Sequence, residues 1–347
     1  MSRYRKPALG DFQAYVPGIQ PPDTEAWVKL NTNESPHPPS AAVASAVAEA
    51  VGRLHLYPDP AQAAFRQAVS EVLDVTAEQV VGGNGADEVL AMAVRAFVPR
   101  GGTAAYLEPS YTLVPKLLAI NEVAGEAHAL DPGYQVPRAF VESRAALKFL
   151  VNPNSPTGTL LPLAVIEEVC AASPGVVLLD EAYVEFAPAS GLEVLGRHPN
   201  LLLVRSMSKS YSLAGLRVGF AVGAPELVED LWAVKDICNL GRLPLAAATA
   251  ALGDREHWRR NVAEVIANRA RLAAALVDGG WDVLPSGANF IFAVPPQPAE
   301  AVYRRLLERH VLVRWFDRPG IDHGLRISIA TWEQCQALLD ALEGTAA

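Results

Sequence analysis

The sequence predicts an α/β fold in which a large domain, built on a mostly parallel central sheet, is joined to a smaller α+β domain. From about residue 40 to residue 240, short apolar runs alternate with helical stretches. Strands separated by helices pair in parallel and are covered on both faces. Polar or glycine-containing clusters follow four of those runs, and sheets of this kind bind ligands beyond the carboxyl ends of their strands. The pattern changes near Leu240-Gly241-Arg242-Leu243-Pro244. We therefore place a large domain at 30–240 and a small domain at 241–347, joined by the N-terminal segment 1–29.

Each element has a local reason. Ala41 to Val51 is alanine-rich and helical. Gln79-Val80-Val81 leads as a strand into Gly82-Gly83-Asn84-Gly85, after which Val89, Leu90, Ala93, Val94 and Phe97 mark a helix from Ala86 to Phe97. Further strands are expected at Thr103 to Leu107, Lys148 to Val151, Val176 to Leu179, Leu201 to Val204 and Val218 to Val222. In the small domain one long helix, about Leu245 to Leu276, precedes a strand containing Asn289-Phe290-Ile291-Phe292. A helix around Val302 to Arg309, strands at Val311 to Phe316 and Leu325 to Ile329, and a helix from Trp332 to Leu342 complete it.

The 347 residues are 50% hydrophobic, ample for a sizeable core, and carry a formal net charge of −9. That charge, with no Lys/Arg block, argues against a nucleic-acid partner. No apolar run reaches the ~20 residues that span a bilayer. Met1-Ser2-Arg3-Tyr4-Arg5-Lys6-Pro7 lacks the apolar stretch of a secretory signal, so a cytoplasmic location is expected. Cys170, Cys238 and Cys335 are far apart and without metal-ligand spacing, which reads as buried reduced thiols and no metal.

Of only six lysines, Lys209 stands in Ser206-Met207-Ser208-Lys209-Ser210, directly past an apolar strand. Surface solubilisation explains that setting poorly. An amine held to condense with an aldehyde explains it well. An ammonium near the ordinary pKa of about 10.4 is a weak nucleophile at neutral pH, and a tight site with neighbouring cations corrects that. Ser206, Ser208 and Arg217 add two hydroxyls and a guanidinium, a phosphate-binding set. Gly82 to Glu88 lies where a helix N-terminus offers free amides to a phosphate. Asn154, in Asn152-Pro153-Asn154-Ser155-Pro156-Thr157-Gly158, could donate to an aromatic hydroxyl. Asp180 ends a wholly apolar strand, where a carboxylate is costly unless a cation meets it; a protonated pyridine nitrogen suits it. Tyr183 could donate to a ring oxygen. Taken singly, each cluster also reads as a turn or a cap, and it is their coincidence at four strand ends that carries the inference. Arg314 and Arg326 sit apart on small-domain strands, with forks suited to carboxylate or phosphate.

Together these residues resemble the fold-type I pyridoxal-phosphate-dependent aminotransferases, over almost the whole chain. The similarity runs from Asn31-Thr32-Asn33-Glu34-Ser35-Pro36 and Tyr57-Pro58-Asp59-Pro60 through Gly85-Ala86-Asp87-Glu88, the asparagine-proline run at 152–158, Asp180-Glu181-Ala182-Tyr183, Ser208-Lys209 and Leu216-Arg217-Val218-Gly219 to Leu325-Arg326-Ile327. The first two segments, with Phe316-Asp317, point to the branch that acts on histidinol phosphate.

The resemblance implies pyridoxal 5'-phosphate as cofactor, linked to Lys209. Asp180 would pair with its ring nitrogen, Asn154 and Tyr183 with its ring hydroxyl oxygen, and Tyr111 would stack on the ring. The amides of Ala86 and Asp87, with Ser206, Ser208 and Arg217, would hold its phosphate. Tyr57 would reach the cofactor phosphate of the other subunit of a homodimer. Asn33, Arg314, Arg326 and Tyr15 would face the small-molecule substrates, histidinol phosphate and glutamate or 2-oxoglutarate. In one departure, Asp236-Ile237-Cys238-Asn239-Leu240 stands where many relatives carry a proline-tyrosine-asparagine run. That segment approaches the substrate pocket in the family, so an aromatic amino-acid aminotransferase and a threonine-phosphate decarboxylase stay open as related activities.

Overall fold

The computed structural model describes Tyr4, residues 18–21 and residues 26–343; Tyr15 lies outside the described residues. In chain order the strands are β1 (Val28–Lys29), β2 (Val80–Asn84), β3 (Thr103–Glu108), β4 (Ala124–Ala129), β5 (Leu147–Val151), β6 (Val176–Asp180), β7 (Leu201–Ser206), β8 (Val218–Gly223), β9 (Asp282–Val283), β10 (Phe290–Val294), β11 (Val311–Leu312), β12 (Arg314–Trp315) and β13 (Leu325–Ser328).

Seven of them form one sheet in the order β2-β8-β7-β6-β5-β3-β4. Only β8 opposes the common direction, antiparallel to both β2 and β7. Successive strand residues alternate between two layers. Leu150, Leu179, Leu203 and Phe220 pack with Phe65, Val69, Ile166 and Val169 from helices Ala63–Leu73 and Leu163–Ala172. Phe149, Leu178 and Leu202 face the other way, against Leu90, Met92, Leu118 and Leu231 from helices Ala86–Phe97, Leu113–Ile120 and Pro225–Val234. Burial on both faces is why β5 to β7 are mostly apolar; the exception within β5, the buried Lys148, donates to the Val141 carbonyl at 2.7 Å. The expected strands of the large domain are all present. The edge strand β4, Ala-Gly-Glu-Ala-His-Ala, had no apolar signal and exists through its parallel pairing with β3.

A four-stranded antiparallel sheet, β12-β13-β10-β9, carries the second core. Ile291, Ala293, Leu325 and Ile327 pack there against Leu272, Leu306 and Leu338 from helices Arg255–Asp278, Ala299–Glu308 and Trp332–Glu343. Leu30 joins this core, and β1 pairs in parallel with β11. The expected long helix is two helices, Arg242–Gly253 and Arg255–Asp278. Glycine followed by aspartate breaks it, and Asp254 caps the second piece by accepting from the His257 amide at 3.2 Å. The first piece packs into the large-sheet core through Ala247, Ala248, Ala251 and Leu252; its packing thus carries the large body past residue 240. The expected strand at 311–316 is likewise divided at Val313: β11 pairs with β1, whereas β12 pairs with β13.

Cys170 and Cys335 are buried, Cys238 is half-buried, and all three are free thiols. Among the described residues no helix is long and apolar enough to cross a membrane, and no His/Cys/Asp/Glu cluster could hold a metal.

Gly82, Gly83 and Asn84 lie within β2 rather than in a loop after it, and Gly83 pairs with Gly219 of β8. A Cβ on Gly219 would lie 2.3 Å from the amide nitrogen of Ala86. Gly219→Ala is expected to destabilise the fold by about 1–3 kcal/mol through overpacking against backbone, measured by chemical denaturation. Unchanged stability would mean that the helix start at Ala86 is not seated on β8.

Candidate active site

The carboxyl ends of five strands converge on one cleft. Ala86 and Asp87 open the helix after β2, Ser110 and Tyr111 follow β3, Ser155 and Pro156 follow β5, Asp180 ends β6, and Ser206 ends β7 ahead of Ser208 and Lys209. The N-terminal strap Asn31-Thr32-Asn33 closes one side, and Arg314, Phe316, Ile321 and Arg326 of the small domain close another. Of the residues singled out in the sequence, Asn33, Ala86, Asp87, Tyr111, Asp180, Tyr183, Ser206, Ser208, Lys209, Arg217, Arg314 and Arg326 all line this cleft.

Burial decides the electrostatics at its floor. Asp180 is 5% exposed and accepts a hydrogen bond from the Ala182 amide at 3.0 Å. Among the described residues no cationic side chain is within ion-pair distance of it. Burial, first, and then the nearby carboxylates of Asp87 and Glu181 push its pKa from an ordinary 3.8 up to about 7, against the pull of the Ala182 amide and Lys209. Its position is set by the next residue. The fully buried Glu181 accepts from Arg205 Nε and Nη2 at 3.2 and 3.1 Å and from the Gly191 amide at 2.6 Å, tying the end of β6 to β7.

Lys209 Nζ donates to the Thr32 carbonyl at 3.4 Å and lies 5.6 Å from the centre of the Tyr183 ring. Asn33, at φ 53°, donates from Nδ2 to the Tyr183 hydroxyl at 3.1 Å. Small-domain side chains brace it: Ser328 Oγ donates to Asn33 Oδ1 at 2.9 Å, and Asn289 Nδ2 donates to its carbonyl at 3.1 Å. Arg217 donates to Ser208 Oγ at 3.4 Å and to Asp87 Oδ2 at 3.0 Å. Arg314 and Arg326 are directly opposed across β12 and β13, both near Phe316, at 5.4 and 5.5 Å from its ring centre. Like charges in direct register repel, so the pair favours an anion between or above them.

A cleft with an amine, a buried carboxylate lacking a cation, and several anion donors has relatives. The family model for aminotransferase class I and II matches residues 25–342. The chain belongs to that family. It is 42% identical, over 99% of its own length and 99% of the relative's, to a histidinol-phosphate aminotransferase of Aromatoleum aromaticum. An enzyme of the same name from Syntrophotalea carbinolica is 40% identical over 96% of this chain and 97% of its own. Among solved structures, the histidinol-phosphate aminotransferase of Sinorhizobium meliloti in complex with pyridoxal-5'-phosphate superposes with a TM-score of 0.84 at 27% identity, covering 91% of this chain and 90% of that one.

This aminotransferase is pyridoxal-phosphate-dependent, and the residues present fit the group. A buried carboxylate without a cation suits a protonated pyridine nitrogen. Two hydroxyls, a guanidinium and the first amides of a helix suit a phosphate. Two further expected residues are not among those lining the cleft of this chain. Asn154 is outside the cleft lining: its Nδ2 donates to Pro109 O at 3.1 Å and Thr157 Oγ1 at 2.9 Å, while its Oδ1 accepts from Ser110 Oγ at 2.7 Å. Its neighbours Ser155 and Pro156 line the cleft instead. Tyr57, expected at the site of the other subunit, is 87% exposed and does not line the cleft of its own chain. Sequence reasoning passed over Ser110, Phe316 as a ring beneath two arginines, and the Thr32 carbonyl, a backbone acceptor with no residue-type signal.

With a folded-state pKa near 7 and an ordinary value in the unfolded chain, Asp180 holds a proton that the unfolded chain has released between about pH 4 and 7. Cofactor-free protein therefore loses stability as pH rises through that window. In denaturation of the cofactor-free form, wild type is expected to fall progressively below Asp180→Asn from pH 4 to pH 8. A pH-independent difference would contradict the buried, unpaired carboxylate.

Proposed function

We propose that the chain is a cytoplasmic, homodimeric histidinol-phosphate aminotransferase. It would convert L-histidinol phosphate and 2-oxoglutarate into imidazole-acetol phosphate and L-glutamate, in histidine biosynthesis. The observation that carries the substrate is the opposed Arg314 and Arg326 pair over the cleft, in a chain about 40% identical to enzymes of that name over nearly its full length. The two half-reactions present a phosphate monoester and a dicarboxylic acid in turn, and guanidinium forks receive both.

When bound, pyridoxal phosphate supplies an aldehyde for the amino group and a ring that draws electrons from the substrate α-carbon. Lys209 Nζ would take the proton from that carbon and hold it for return. Asp180 keeps the proton on the ring nitrogen by offsetting its charge. The Tyr183 hydroxyl already accepts from Asn33, which leaves its proton free to donate to the ring oxygen. Tyr111 would cover the ring, and the amides of Ala86 and Asp87, with Ser206, Ser208 and Arg217, would hold the phosphate. Asn33 serves the substrate side of the same contact, and its bonds to Ser328 and Asn289 couple it to the small domain. The dimer is supported by a run of exposed apolar side chains, Leu54, Leu56 and Tyr57. In this reading Tyr57 completes the phosphate site of the partner subunit.

The deciding experiment is a single-turnover absorbance titration with histidinol phosphate, phenylalanine and phosphothreonine in parallel. Conversion to the pyridoxamine form by histidinol phosphate alone is expected. Preference for phenylalanine would make the enzyme an aromatic aminotransferase, and release of CO₂ from phosphothreonine a lyase. Lys209→Ala should abolish turnover, and appreciable transamination by that variant would remove Lys209 from its role. Arg326→Ala should raise KM for both substrates and lower kcat/KM by about one to two decades, from loss of a charge-assisted contact. A variant with both KM values unchanged would place the anion site elsewhere.

A further inference from the structure

Asp87 enters the reading above only through its backbone amide, yet its side chain makes two directed contacts inside the cleft. Oδ1 accepts from the Tyr111 hydroxyl at 2.9 Å, and Oδ2 accepts from Arg217 Nη2 at 3.0 Å. We infer that the carboxylate of Asp87 is a positioning residue that sets Tyr111, at the cofactor ring, and Arg217, at the cofactor phosphate, relative to one another.

Three separate segments meet at this carboxylate: the first turn of helix Ala86–Phe97, the loop after β3, and the residue that precedes β8. Arg217 needs such a hold. Its backbone is left-handed, at φ 53°, and its guanidinium lies against Gly85, where a Cβ would come within 2.7 Å of Nη2. Ser208 Oγ bounds the guanidinium from Nη1 at 3.4 Å. The arrangement has a cost, because a carboxylate beside an anionic phosphate repels it, and Asp87 is also among the charges that push Asp180 upward. The alternative role for an acid in a first helical turn is to complement the helix dipole. That role requires contact with neither Tyr111 nor Arg217.

The inference rests on the reading that this cleft holds pyridoxal phosphate, and the two are tested apart. Holoenzyme is dialysed against graded free pyridoxal phosphate, with occupancy and ring orientation read from the visible absorbance and circular dichroism of the bound cofactor. Melting of the cofactor-free forms is recorded alongside. With side chains 40% and 46% exposed, Asp87→Ala is expected to raise Kd about tenfold, the low end for charge-assisted bonds, and to alter the dichroism. Asp87→Asn should recover part of the loss, since its Oδ1 still accepts from Tyr111. In an Arg217→Ala background, Asp87→Ala should cost about threefold or less, because one of the groups it positions is gone. Unchanged or tightened Kd in both Asp87 variants, with only melting affected, would overturn the inference. So would an equal loss in both backgrounds. Wild-type protein without a Lys209-dependent band would overturn the cofactor site and this inference together.

Discussion

Asp180 is held where its charge is costly, and much of the site follows from that. A carboxylate buried at the end of an apolar strand has three outcomes: it takes a proton, it meets a cation, or the fold gives way. The scaffold keeps it in place through its neighbour. Glu181 is buried in turn, but its charge is met by Arg205 and by backbone and hydroxyl donors, so the segment after β6 is fastened to β7. One buried acid is fully satisfied so that the adjacent one can wait for a partner from outside the chain.

The other polar groups of the cleft divide between the two sheets. Arg217, the serines and the helix start belong to the large sheet and are fixed by strand register and by the close seat of Ala86 on Gly219. Arg314 and Arg326 belong to the small sheet. The strap Asn31-Thr32-Asn33 makes hydrogen bonds to Tyr183 and to Ser328 and Asn289 through Asn33. A ligand touching both groups would therefore be felt by both bodies, which meet at Asn33 and again where Arg326 donates to Ser155 Oγ at 3.4 Å.

Much of this was legible in the residues. The apolar runs that became β3 and β5 to β8, the helices at 41–51 and 86–97, and the polar residues after each strand all carry local signals: burial on two faces, helical periodicity, turn chemistry. Lys209 and Asp180 stand out because a charged residue against an apolar strand has few innocent explanations. What was not legible lacks such a signal. Edge strand β4 has weak strand formers and is made by its neighbour. The break at Asp254 is the exception: Gly253 followed by a capping aspartate is a local signal, set inside an otherwise continuous helical pattern. The hydrogen bonds of the Asn154 amide to Pro109, Ser110 and Thr157 join segments far apart in the chain.

The order and type of most elements, the polar clusters at the strand ends and the family resemblance could be read from the residues alone, because each depends on residues close together along the chain. Only the tertiary structure decided that Thr32 meets Lys209, that Arg314 and Arg326 face each other, and that one carboxylate of Asp87 joins Tyr111 to Arg217. Those contacts join residues far apart in the chain. Their distances are set by sheet register and by the packing of one body on the other, which no local pattern encodes.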